Sequence, residues 1–190
     1  MRMRKILIAS AAALLMGSAA AHADVLNAPY ISVLGGWSSH PALAFGAGHD
    51  GVDDGYNVGV RAGTWLGGLP GVTADLDYFH NEGGFIGTGA NLTSNSYMAD
   101  LTYHVPVSDP LSLYGGAGAG VVTTGLNGSQ HGSSTVFGWQ ALGGAEYRLS
   151  DTTAMFAEYR YQNAHNANPD TIANVGNTSN SVSAGVKFSL

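Results

Sequence analysis

From about residue 30 to the C-terminus, apolar and polar side chains alternate with a period of two, the mark of strands whose faces meet different surroundings. Eight such runs can be read. The first, Tyr30–Trp37, has an ambiguous phase because Gly35-Gly36 interrupts it. The second, Tyr56–Trp65, sets Tyr56, Val58, Val60 and Ala62 against Asn57, Gly59, Arg61 and Gly63. The third, Val72–His80, sets Val72, Ala74, Leu76 and Tyr78 against Thr73, Asp75 and Asp77. The fourth, Ser96–Val105, sets Tyr97, Ala99, Leu101, Tyr103 and Val105 against Met98, Asp100, Thr102 and His104. The fifth, Leu111–Val122, is glycine-rich on its polar face. The sixth, Thr135–Leu149, opposes Phe137, Trp139, Ala141, Ala145 and Tyr147 to Gln140, Glu146 and Arg148. The seventh, Thr153–Gln162, opposes Met155, Ala157, Tyr159 and Tyr161 to Glu158, Arg160 and Gln162. The eighth, Thr178–Leu190, opposes Val182, Ala184, Val186, Phe188 and Leu190 to Ser181, Ser183, Gly185, Lys187 and Ser189. Phe79 and Phe156 break the pattern as large apolar groups on the polar face.

The charges decide which face points where. After residue 23 the only basic residues are Arg61, Arg148, Arg160 and Lys187, and each falls on a polar register. Asp75, Asp77, Asp100, Glu146 and Glu158 do the same, and the opposite registers carry no charge. A soluble sheet would place abundant lysine and glutamate on its wet face, whereas an uncharged apolar face opposite a small, polar face suits a closed barrel in lipid. Aromatics near the strand ends (Trp37, Tyr56, Trp65, Tyr78, Tyr97, Tyr147, Tyr161) read as interfacial girdles. Leu66–Gly71, Pro106–Pro110 and Ser150–Thr152 are short turns, while Ser38–Asp54, Asn81–Asn95, Thr123–Ser134 and Asn163–Asn177 are long and rich in Gly, Asn and Ser. Short periplasmic turns, long outer loops and an even strand count are the layout of bacterial outer-membrane barrels, with both termini in the periplasm. The expected fold is therefore an all-β, eight-stranded antiparallel up-and-down transmembrane barrel over residues 24–190. A monomer is expected, because closure leaves no free edge.

The first 23 residues read as a cleaved secretory signal peptide: a basic start (Arg2, Arg4, Lys5), an apolar stretch to Ala21 and the A-x-A site Ala21-His22-Ala23. No later stretch is apolar for long enough to form a spanning helix. Charged residues make up 11% of the chain, well below the roughly 25% of a soluble domain. There is no cysteine, hence no disulfide framework or thiolate metal site. Removal of residues 1–23 leaves four basic residues against 13 acidic ones, a formal charge of −9. An acidic surface excludes nucleic-acid binding, which needs a basic footprint.

Eight strands enclose a bore that side chains just fill. Arg61, Asp75, Asp77, Asp100, Glu146, Arg148, Glu158, Arg160 and Lys187 are expected there as one interior charge network, joined by His104. The short turn between the second and third strands sets Arg61 opposite Asp75 or Asp77, and Glu146, Arg148, Glu158 and Arg160 share the next-to-last hairpin. Such a network reads as a structural plug, or alternatively as the gate of a narrow channel. Catalysis is not expected. The best hydrolase candidate, His165 near Glu158, lacks a suitable serine, since Ser179 and Ser181 are poor substitutes. His40, His49, His131 and His165, with Asp50, Asp53 and Asp54, lie in outer loops, but "DGVDDG" lacks the alternating acids of a calcium loop. No metal or cofactor is expected. The sequons at Asn91, Asn127 and Asn177 carry no weight in a bacterium.

The stretches "PYISVLGGW", "GGAEYRL", "MFAEYRYQ" and "SVSAGVKFSL" make the chain resemble the small outer-membrane β-barrels: the opacity-protein family and the eight-stranded domain of outer membrane protein A. That resemblance implies an integral outer-membrane protein of a Gram-negative cell, in contact with outer-membrane lipid and lipopolysaccharide. It implies a role in adhesion, host contact or envelope integrity through the outer loops, with a host or surface ligand as partner. Two eight-stranded enzyme precedents, lipid A deacylases and palmitoyl transferases, define the enzymatic alternative. The resemblance also implies that periplasmic chaperones and the barrel-assembly machinery handle the chain. The last strand is then the assembly signal, through Val182, Ala184, Val186, Phe188 and Leu190, with Leu190 in place of the usual terminal aromatic.

Overall fold

A computed structural model describes residues 26–39, 43–45, 48–50, 54–84, 91–127, 132–167 and 175–190. Among the described residues ten strands run in chain order: β1 Leu26–Ser39, β2 Leu43–Phe45, β3 Gly48–Asp50, β4 Gly55–Leu66, β5 Val72–Gly84, β6 Asn91–Ser108, β7 Leu111–Asn127, β8 Gly132–Arg148, β9 Thr153–Ala167 and β10 Val175–Ser189. Eight of them close an antiparallel barrel in the order β1-β10-β9-β8-β7-β6-β5-β4, and β2 and β3 form a separate small hairpin. Residues 1–25, which include the segment 1–23 read as a signal peptide, lie outside the described residues.

Most of the runs read from alternation extend further than expected. β6 spans 18 residues and β7 and β8 17 each, because backbone pairing continues after the side chains stop alternating. The β2–β3 hairpin lies inside a connection expected to be a plain loop. The register of β1 resolves its ambiguous phase. Tyr30, Ser32, Leu34 and Ser38 are buried inside, while Val33 and Trp37 face out. Gly71 turns β4 into β5 with φ of 79°, a backbone that favours glycine, and a Cβ there would press on the His104 carbonyl at 2.9 Å.

The wall has two chemistries, as its alternation requires. Val58, Val60, Leu76, Leu101, Leu113 and Val182 are among the exposed apolar residues outside. Buried serines, threonines, amides and charges fill the inside. The two misfit phenylalanines point inward with the rest of their registers, and each ring lies over a glycine directly opposite on the next strand. Phe79 pairs with Gly59 and Phe156 with Gly185, and Tyr30 and Tyr114 do the same with Gly63 and Gly144. A Cβ on any of these glycines would come within 2.8 Å of the ring. The polar-face glycines are therefore slots for inward rings, and that is why a narrow bore tolerates four aromatics.

Candidate functional site

The lumen is built in layers from the end where β1 begins, β10 ends and the three short turns lie, the end expected to face the periplasm. The mouth opens as a vestibule of about 420 Å³, bordered by Trp65, His104, Glu146, Arg148, Asp109 and Lys187 among others. Lys187 and Glu146 form an ion pair, and the Lys187 ammonium lies over the rings of Tyr30 (4.8 Å) and Trp65 (5.7 Å). His104 packs between Trp65 (4.8 Å) and Tyr114 (5.3 Å). Trp65 is therefore a lining residue of the mouth rather than part of a lipid-facing girdle.

Above this layer sits an ionic quartet. Arg61 Nη2 donates to Asp77 Oδ2 (3.1 Å) and to Glu158 (2.9 Å to Oε2). Arg160 Nη2 donates to the same Asp77 oxygen (2.6 Å) and to Glu158 Oε1 (2.8 Å). All four side chains are at most 6% exposed. In the ring of eight, β5 and β9 lie opposite one another, so the Asp77–Arg160 contact spans the lumen. Two cations against two anions, each carboxylate held by both guanidinium groups, is the arrangement in which buried charges are tolerable.

Neutral groups complete the plug. Asp75 accepts hydrogen bonds from Tyr30, Thr73 (3.1 Å) and Thr102 (3.1 Å). Asp100 accepts from Gln140 (2.7 and 2.9 Å), which in turn accepts from Gln162 (3.2 Å). Tyr114 donates to Glu158 (3.1 Å). Phe79, Leu34, Leu142, Phe156 and Tyr114 form an apolar cluster around the quartet, with the Arg160 guanidinium 4.0 Å from the centre of the Phe79 ring. Toward the outer end, one wall is a seam of Ser38, Asn57, Asn81, Ser181 and Ser183 joined by hydrogen bonds of 2.5–3.1 Å. The other wall is apolar, with Met98, Val122 and Ala164.

The residues expected as one network thus divide. Arg61, Asp77, Glu158 and Arg160 form the quartet, Lys187 and Glu146 form a separate pair at the mouth, and Asp75 and Asp100 are held by uncharged donors. Arg148 departs from the expectation. It occupies an inward register at the last residue of β8, beyond the depth of the lumen, so its side chain is 58% exposed and pairs with Asp109 on the neighbouring turn. The hydrolase alternative loses its carboxylate, since Glu158 is held in the quartet; Ser179 and Ser181 are buried in the lumen. The side chain of His165 lies outside the described residues, as do those of His40, His49, His131, Asp50 and Asp53. Among the described residues, no group of three or more His, Cys, Asp or Glu could hold a metal ion.

Residues 9–188 match the family model described as the outer membrane protein beta-barrel domain. The chain belongs to this family. Among solved structures, neisserial surface protein A aligns with a TM-score of 0.71 at 18% identity, covering 87% of this chain and 99% of the other. The outer membrane protein OprG from Pseudomonas aeruginosa aligns with a TM-score of 0.52 at 13% identity, covering 87% and 97%. At these identities the likeness shows the fold. None of the proteins of curated function matches the sequence. As a member of the family, this barrel is an integral outer-membrane protein of the Gram-negative type, and its apolar wall is its lipid contact. On that wall the final strand presents Val182, Ala184, Phe188 and Leu190 outward, with Val186 half-buried beside them.

Proposed function

We propose that this outer-membrane barrel is a sealed scaffold that works through its outer surface, in adhesion, host contact or envelope integrity. The observation that carries the reading is the quartet, which ties opposite walls together in a lumen already filled by Phe79, Phe156, Leu34 and Leu142. A bore filled in this way passes no solute, so the remaining working surfaces are the two rims and the lipid-facing wall. In this reading residues 1–23 are a signal peptide removed on export, and the last strand is the address read by the assembly machinery.

The test is electrical. The chain without residues 1–23 is refolded into planar lipid bilayers, its folding shown by heat-modifiable migration, and its current recorded. The sealed reading expects silence, and a steady discrete conductance from folded protein overturns it. A second reading, a narrow channel gated by rearranging pairs, draws on four buried atoms without a hydrogen-bond partner in the quartet: Arg61 Nε, Asp77 Oδ1, and Arg160 Nε and Nη1. It expects brief openings that become longer in Asp77→Asn.

A further inference from the structure

The outer rim is uneven. β4 starts at Gly55 and β1 stops at Ser39, whereas β6, β7 and β8 run for 17 or 18 residues. At this low side of the wall is a trough of about 500 Å³ bordered by Trp37, Asp54, Tyr56, Glu82 and three glycines, Gly36, Gly55 and Gly83. Trp37 and Tyr56 are direct cross-strand partners and are 69% and 50% exposed. The Tyr56 hydroxyl donates to Glu82 Oε2 at 2.8 Å, which fixes ring and carboxylate together. The glycines leave backbone in place of side chains, and a Cβ at Gly55 would meet the Glu82 carbonyl oxygen at 1.7 Å.

An interfacial girdle explains exposed aromatics but not carboxylates beside them. Two other aromatic pairs of the barrel, Tyr78–Tyr97 and Trp139–Tyr161, have asparagines as polar neighbours. Tyr78 bonds Asn95 at 2.8 Å, and Asn163 faces Trp139. The Trp37–Tyr56 pair instead combines two electron-rich ring faces with two acids, the composition that holds an organic cation. The charge of the whole end points the same way. Beyond residue 5 the chain has four basic residues; Arg61, Arg160 and Lys187 are buried in the lumen, and Arg148 is at the periplasmic mouth. The outer end thus carries no lysine or arginine, while Asp54 stands just before β4 and Glu82 near the end of β5. Such a field attracts polycations and repels sulfated or phosphorylated ligands.

We infer that the Trp37–Tyr56–Asp54–Glu82 trough is a docking site for a lysine or arginine side chain of a basic polypeptide, with the acidic outer end steering the rest of that segment. The inference rests on the surface-contact reading and names its partner chemistry. The cation stacks on the indole and phenol faces and donates hydrogen bonds to the two carboxylates.

The test uses the full chain refolded into micelles of an uncharged maltoside detergent and a fluorescein-labelled ten-residue peptide of alternating lysine and glycine, with a glutamate–glycine peptide as control. The expected result is binding of the lysine peptide alone, weakening as salt rises. Affinity should fall about tenfold in Trp37→Leu and in the double variant Asp54→Asn/Glu82→Gln. Both variants are checked for folding by heat-modifiable migration. Asp151→Asn, which removes an acid at the periplasmic end, should leave affinity unchanged. Absence of binding overturns the inference. So does equal affinity in the wild type and the trough variants, which would mark diffuse attraction. So does loss of binding in nanodiscs of phosphatidylcholine or phosphatidylethanolamine, which would assign the trough to a lipid headgroup cation. A silent barrel that binds no peptide overturns this inference alone, and a conducting barrel that binds overturns only the sealed reading.

Discussion

Replacing Arg160 with methionine tests whether the quartet holds the barrel together. Arg160 is 1% exposed, and one of its nitrogens serves both carboxylates, at 2.6 and 2.8 Å. Methionine keeps the apolar contact with Phe79 but leaves Asp77 and Glu158 to share Arg61, one cation for two buried anions. Breaking a buried pair in this way costs about 3–5 kcal/mol. Adding Asp77→Asn restores one cation to one anion, so the double variant should recover about 1–3 kcal/mol of that loss. The assay is urea unfolding in lipid vesicles, with the folded fraction read by heat-modifiable migration and tryptophan fluorescence. A loss below about 1 kcal/mol in Arg160→Met, or a double variant worse than the single one by the full cost of Asp77→Asn, would refute the reasoning, because the quartet would then be solvated rather than buried.

Arg148→Ala should change stability by less than about 1 kcal/mol, as expected of an exposed ion pair, and should leave bilayer current at the wild-type level. Val60→Arg places a charge on the outer wall, where Val60 is 47% exposed. It should destabilise the barrel in lipid by about 2–4 kcal/mol if that level lies near the bilayer midplane, measured by the same urea titration, and an unchanged midpoint would mean that this face does not contact lipid.

How much could be read from the sequence depends on the range of each interaction. Alternation gives the faces, and a short turn gives the register to within one pair, so Arg61 opposite Asp75 or Asp77 was legible at the β4–β5 hairpin, and the structure selects Asp77. The partnership of Asp77 with Arg160 was not, since it joins strands four places apart in the ring, and no turn relates their registers. Alternation also says nothing about depth. Arg148 and Trp65 have the right parity for the lumen but sit at strand ends, where inward means into the mouth. Phe79 and Phe156 were conspicuous as misfits, and the signal that explains them was present: a glycine on the polar face of each neighbouring strand. For Phe79 it lies across the short β4–β5 turn, but for Phe156 it needs pairing between β9 and β10 across a long loop, which sequence spacing leaves open. The Trp37–Tyr56 trough was hidden for the same reason, because the β2–β3 hairpin separates its two aromatic residues along the chain.

The quartet also bears on how charge enters the bilayer. Its four members come as two local pairs, each neutral in itself. Arg61 and Asp77 face each other within the β4–β5 hairpin, and Glu158 and Arg160 touch along β9 itself. Within the quartet, neither pair leaves an unmatched ion before the ring closes. Closure then exchanges two local dipoles for one shared square, so the quartet brings no net charge of its own into the lumen.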